Sequence, residues 1–285
     1  MKPAVAATTD AVRQAVAAAR RRGQTVGLVP TMGALHEGHA SLIRAARAET
    51  DFVVVSIFVN PTQFGPNEDL ARYPRPLEQD LELCGREGAD LAFVPEVAAI
   101  YPPGFRTYVE VHGLQDVLEG ASRPGHFRGV CTVVLKLIHI VRPDVAYFGQ
   151  KDAQQARIIR QMVRDLDVPL RLRICPTVRE ADGLALSSRN RYLSPEERGR
   201  ALALAQALFD ARQRVERGER DAAAVQRAAR QRIEAVPGVV VDYVAVVDAD
   251  SFEPVERIRG NVLIAAAVRI GSTRLIDNVL LENVR

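Results

Sequence analysis

The sequence predicts an α/β protein: a parallel sheet with crossover helices, followed by a smaller α+β domain. Three observations carry this reading. Strand-like and helix-like segments alternate through the first two thirds of the 285 residues, the pattern of βαβ units. The apolar run at 52–59 suits a central strand buried on both faces. After about Pro176 the composition changes to two Ala- and Arg-rich helical segments and three strand-like runs. The expected domains are 1–176 and 177–285, joined through the polar segment 177–193.

The elements follow in order. Residues 8–22 read as a helix, with threonine caps ahead and Gly23 behind, and 25–29 as a short strand. An amphipathic helix at 40–49 leads to the strand at 52–59. A helix at 76–87, a strand at 90–94, a helix at 129–141 and a strand at 144–148 come next, then a helix at 152–165 and a strand at 170–175. Helices at 195–217 and 221–235 precede strands at 239–248, 262–269 and 273–281, whose alternation suits an antiparallel sheet. Loops 60–75 and 95–106 are rich in Gly and Pro and follow strand ends, where open α/β sheets bind ligands.

Composition excludes several classes. With 47% hydrophobic and 26% charged residues the chain is globular, neither disordered nor fibrous. No apolar run approaches the ~20 residues needed to cross a bilayer. Thr8, Thr9, Asp10 and Arg13 interrupt the N-terminal alanines, so no secretory segment is expected. Cys84, Cys131 and Cys175 stand far apart with no C-x-x-C pairing, as reduced thiols of a cytoplasmic protein would. A net charge of +3 and the absence of Trp argue against nucleic acid, and the cluster Arg20 to Arg22 suits a helix C-terminus. Only three of the 38 basic residues are Lys, which singles out Lys151 in its glycine-flanked loop.

No G-x-G-x-x-G follows the first strand and no G-x-x-x-x-G-K-[ST] occurs, which sets aside dinucleotide dehydrogenases and P-loop kinases. Instead Pro30-Thr31-Met32-Gly33-Ala34-Leu35-His36-Glu37-Gly38-His39 runs into a helix. A helix start attracts phosphate, and histidines three apart share a face. Zinc would need H-E-x-x-H spacing and a third ligand, both missing. Gly149-Gln150-Lys151-Asp152 with Gln154-Gln155 places an ammonium at another strand end, although Asp152 would equally serve as a helix cap. Leu186-Ser187-Ser188-Arg189-Asn190 offers hydroxyls beside a guanidinium for phosphate oxygens, or is a polar linker. Asn60-Pro61-Thr62-Gln63-Phe64 adds neutral amides.

With Tyr73-Pro74-Arg75, these motifs resemble the pantothenate synthetase (pantoate–beta-alanine ligase) family, within the wider HxGH nucleotidyltransferases. The resemblance implies a Rossmann-like N-terminal domain, a C-terminal lid, a homodimer and the use of ATP with Mg²⁺. The implied reaction condenses (R)-pantoate with beta-alanine through a pantoyl adenylate, giving pantothenate, AMP and pyrophosphate. It places Met32, Gly33, Ala34, Leu35, His36, Glu37, Gly38, His39, Gly149, Gln150, Lys151, Asp152, Val178, Leu186, Ser187, Ser188 and Arg189 around ATP, with His39, His36 and Lys151 catalytic. Gln63 and Gln155 are expected at pantoate, Gln63 and Asn60 at beta-alanine, and Asp80 near Mg²⁺. Met32, Pro30 and Phe64 are candidates for the wall against pantoate's methyl groups. Gln150 departs from the acidic residue many members carry there. A related cytidylyl- or adenylyltransferase would share the histidines but has no use for paired Gln63 and Gln155.

Overall fold

The computed structural model describes residues 2–66 and 68–285. Its contacts divide into two units, Met1–Gln150 with Gln154–Pro176, and Lys151–Ala153 with Thr177–Arg285.

The first unit is built on six parallel strands: β1 (Ala4–Ala6), β2 (Val26–Thr31), β3 (Phe52–Ile57), β4 (Leu91–Phe93), β5 (Val145–Gly149) and β6 (Arg171–Cys175). Their order across the sheet is β1-β4-β3-β2-β5-β6. The chain builds outward from β2 through β3 and β4, then returns to the other side of β2 with β5. The carboxyl ends of β2 and β5 therefore flank the switch point of the topology, the place where such sheets bind ligands.

Helices cover both faces: α1 (Thr9–Arg21), α2 (Glu37–Glu49), α3 (Leu77–Arg86), the single turns α4 (Val97–Ile100) and α5 (Glu119–Ser122), then α6 (His126–Val141) and α7 (Ala153–Asp165). The alternate residues of β3 go to different cores. Val53, Val55 and Ile57 pack with Leu42, Ile43 and Leu81 of α2 and α3, while Val54 packs with Val12, Val130 and Ile159 of α1, α6 and α7. That division explains why the strand is apolar at nearly every position.

The second unit holds α8 (Pro195–Glu216), α9 (Ala222–Glu234) and an antiparallel sheet β7-β8-β9 (Val239–Asp248, Gly260–Ile270, Thr273–Val284). Ser194 and Glu197 cap α8 reciprocally and Asp221 caps α9. Leu204, Leu208, Val225 and Ile233 of the helices pack with Val244, Ile264 and Val279 of the sheet.

Several boundaries differ from expectation. The edge strand β1 is too short and alanine-rich to stand out. The second helix begins at Glu37 instead of 40, which brings His39 inside it. α6 begins three residues before 129, so Gly129 lies within a helix. A Cβ on Gly129 would run into the Thr62 carbonyl and come within 2.7 Å of Gln63 Cα, so glycine is what lets the segment after β3 rest on the helix backbone. A 3₁₀ turn over Gln150–Asp152 replaces the expected start of α7. Among the described residues no helix is long and apolar enough to cross a membrane.

Candidate active site

In the first unit the segment leaving β2 is shaped by a buried carboxylate. Asp80 lies on the buried stripe of α3 with Leu81 and Cys84 and is 2% exposed. Its two oxygens accept from the backbone N–H groups of Ala34 (2.9 Å) and Leu35 (2.7 Å). Gly33 and Ala34 both have positive φ, 82° and 50°, and this pair of charge-assisted bonds holds the turn there. Asp80 is thus turned to the loop backbone. Among the described residues no group of three His, Cys, Asp or Glu side chains could hold a metal ion.

The turn delivers His36 to the N-cap of α2. His36 Nδ1 accepts from Gly38 N–H (3.1 Å), and His39 Nδ1 accepts from His36 N–H (3.3 Å). This is a capping box built from two imidazoles, whose ring centroids lie 4.2 Å apart. Accepting at Nδ1 makes each neutral ring the Nε2–H tautomer. Two N–H donors, on rings fixed by the backbone they cap, therefore stand at a helix start beside the switch point.

After β3, Asn60 organises the amides. It is 1% exposed, and its Nδ2 donates to Gln63 Oε1 (3.0 Å) and the Gly129 carbonyl (3.1 Å). Its Oδ1 accepts from the hydroxyls of Thr62 and Tyr101, each at 2.9 Å. Both donors of Asn60 are engaged within the protein. Among the described residues Gln63 Nε2 meets the Met32 sulfur, at 3.1 Å, a weak acceptor that a carboxylate or hydroxyl would readily replace. Gln154 donates to the carbonyls of Leu114 and Val117 and accepts from Glu119 N–H, bracing that loop, while Gln155 beside it is half-buried.

The sequence reading missed a third group. His126, 9% exposed at the start of α6, lies 2.9 Å from the Gln63 carbonyl through Nδ1 and 3.0 Å from Arg123 Nη1 through Nε2. A carbonyl and a guanidinium can only accept and donate, respectively, so Nδ1 carries the proton. Arg123 also grips Glu68 at 2.7 and 2.6 Å. The signal available was a histidine, one of five, preceded by Arg-Pro-Gly at a helix start.

Burial, with the Arg123 charge next, pushes the His126 pKa down from 6.5 to about 4. The unfolded chain takes up that proton near 6.5, so between these pH values it binds more protons than the folded one. The contribution of the neutral ring to stability is complete above 6.5 and is lost as pH falls toward 4. Urea unfolding at pH 7 and pH 5 should show the parent losing about 2 kcal/mol more than His126→Asn. Equal losses would mean that the ring titrates normally.

In the second unit, residues 178–186 form a strap. Leu186 N–H donates to the Val178 carbonyl (3.0 Å), Arg179 and Ala185 bridge, and Arg198 ties down Glu180 and Asp182. Ser187 caps the following 3₁₀ turn by accepting from Arg189 N–H at 3.3 Å, and Ser188 is buried. Lys151, on the 3₁₀ turn after β5, pairs with Asp152 at 3.3 Å. That pairing makes Asp152 a partner of Lys151 within the turn, directly ahead of α7, which begins at Ala153.

Comparison with known proteins bears on the whole chain. The Pantoate-beta-alanine ligase family matches residues 4–280. A pantothenate synthetase from Moorella thermoacetica is 62% identical over 275 residues, 96% of this chain and 97% of the relative. One from Acetivibrio thermocellus is 56% identical, covering 91% and 92%. The crystal structure of pantothenate synthetase from Thermus thermophilus superposes with a TM-score of 0.93 at 47% identity, over 97% and 98% of the chains. That of a pantoate-beta-alanine ligase from Francisella tularensis, complexed with beta-gamma ATP and beta-alanine, gives 0.79 at 35%, over 98% and 97%.

Proposed function

From the premise that the chain belongs to the pantoate-beta-alanine ligase family, we propose how its residues divide the work of that reaction. The chain is an ATP-dependent ligase that condenses pantoate with beta-alanine to pantothenate. A carboxylate is a poor electrophile, so the reaction proceeds by adenylation. A pantoate carboxylate oxygen bonds to the α-phosphorus of ATP as the bond to pyrophosphate breaks. The beta-alanine amine then attacks the acyl carbon, the bond to AMP breaks, and the amine loses a proton.

The first step needs positioning and charge stabilisation more than covalent help. The observation that carries the assignment is the reciprocal cap of His36 and His39, which prepares two N–H donors for phosphate oxygens. Lys151, Ser187, Ser188 and Arg189 supply further donors to the triphosphate, Gly149, Gln150 and Asp152 shape the Lys151 turn, and Val178 and Leu186 pair within the strap. Gln63 and Gln155 take (R)-pantoate, and Gln63 also serves beta-alanine. Asn60 acts through Gln63, whose oxygen it holds, and Asp80 acts through the turn that carries His36. Among the described residues no group of three His, Cys, Asp or Glu side chains makes a cage for Mg²⁺, so no step is assigned to an ion held by Asp80. The reading extends to a cytoplasmic homodimer; three buried free thiols suit a reducing compartment.

A product assay tests the reaction. Chain, ATP and pantoate should release pyrophosphate, and beta-alanine should then yield AMP and pantothenate in equal amounts. Nucleotide transfer with no amide would make it the related transferase instead. Within the site, Gln63→Ala should raise the apparent KM for pantoate far more than that for ATP. A lost hydrogen bond is worth about 0.5–1.5 kcal/mol, and up to ~3 where a charged group is left unpaired. Steady-state kinetics varying each substrate decides it, and equal damage to both would assign Gln63 to scaffolding.

A further inference from the structure

The last strand breaks its own alternation. Along β9 the residues Asp277, Asn278 and Val279 are buried in succession. Side chains alternate faces along a strand. Asp277 therefore shares the face of Leu275, Val279 and Leu281, which belong to the core formed with α8 and α9. Asn278 falls on the opposite face with Ile276 and Leu280, and Leu280 is 37% exposed. A carboxylate on the core face is costly unless it is paired, and apolar residues in place of a buried ion pair often serve stability as well or better. Its place on that face calls for another reason.

The partners of Asp277 supply one. Arg179 donates to both of its oxygens, at 2.6 and 2.9 Å, and Asn278 N–H donates to Oδ1 at 2.7 Å. Arg179 also donates to the Asn278 carbonyl at 3.3 Å and lies over the Phe209 ring. The ion pair thus grips Asn278 by its N–H and its C=O. The Asn278 side chain, 5% exposed overall, donates from Nδ2 to the Lys151 carbonyl at 2.9 Å. Lys151–Ala153 is the three-residue stretch that associates with the second unit, while Gln150 and Gln154 on either side of it associate with the first.

We propose that Asn278 is a positioning residue for the adenylation step, fixing the Lys151 backbone so that its ammonium is presented to the triphosphate in one place. The Asp277–Arg179 pair orients Asn278, and Asn278 orients Lys151. The inference rests on the reading of Lys151 as a triphosphate ligand. A lysine stem is long and flexible, so an anchored backbone is what limits the positions its ammonium samples. A misplacement of about 1 Å can cost ~10²-fold in rate.

The test separates the two half-reactions in the full chain: pyrophosphate release from ATP and pantoate, and aminolysis of isolated pantoyl adenylate by beta-alanine. Asn278→Ala should slow the first about 10-fold and leave the second within about twofold, because pyrophosphate has already gone. Asn278→Asp, of the same shape but with an acceptor facing the Lys151 carbonyl, should be at least as slow in the first. In a Lys151→Ala background, Asn278→Ala should add less than about twofold, since residues acting as a unit are not additive. Equal slowing of both half-reactions, a multiplicative double variant, or failure of both Asn278 variants to fold would assign Asn278 to stability and overturn the proposal. A severe Lys151→Ala beside a silent Asn278→Ala overturns this inference alone. A silent Lys151→Ala overturns the reading of Lys151 as well.

Discussion

On the proposed reading of His39 as a phosphate ligand, His39→Ala is expected to lose adenylation by roughly 10²–10⁴-fold, because the variant removes an N–H donor on a ring that the helix cap holds in place. The structure adds a second consequence. His39 Nδ1 accepts from His36 N–H, so alanine also opens the cap of α2, at a cost of about 0.5–2 kcal/mol. Glutamine separates the two effects. At the third position of a helix it reaches back to the capping residue as its counterpart does in an ordinary capping box. His39→Gln should therefore recover thermal stability while its rate of pyrophosphate release stays near that of the alanine variant. A His39→Ala enzyme working at half the parental rate would remove His39 from the chemistry.

Lys151→Arg should lose at least ~10-fold in the same half-reaction although it keeps the charge. An ammonium is compact and approaches three oxygens from any direction; a guanidinium is planar and longer and would push the phosphates from their in-line arrangement. The Lys151 side chain is 20% exposed and sits on a 3₁₀ turn, paired with Asp152. Near-parental activity would refute the argument from size, and parallel measurement of Lys151→Ala would show whether charge alone is needed. If both variants are silent, the residue belongs to the surface of its loop.

Much of this architecture is legible in the chain because its causes are local. The strand β3 announces itself by being apolar on both faces, and Thr8, Ser194 and Asp221 mark helix starts where their side chains take up the first N–H groups. Motif residues at strand ends fall near the switch point because parallel topology puts all carboxyl ends on one edge. What escaped depends on partners far away in sequence. Glu68 and Arg123 are 55 residues apart, and His126 and the Gln63 carbonyl 63 apart, with no periodicity to join them. Asp80 left one trace, a carboxylate on the stripe of α3 that Leu81 and Cys84 bury, but the N–H groups it serves lie 45 and 46 residues upstream. The helix start at Glu37 was misplaced because imidazole is an uncommon cap, and the usual Ser, Thr, Asp or Asn is missing there.

The glycine inside α6 bears on how this enzyme could be made more robust. In a helix interior, exchanging Gly for Ala ordinarily gains about 0.5–1 kcal/mol by restricting the unfolded chain, so position 129 would head any such programme of stabilisation. Here the added methyl would meet the Thr62 carbonyl and crowd Gln63, the residue assigned to both acid substrates. Helix propensity and substrate recognition thus pull in opposite directions at one backbone atom. The clash with backbone would cancel the stability that alanine ordinarily brings and displace Gln63 as well, whereas the exposed faces of α8 and α9 carry no such conflict.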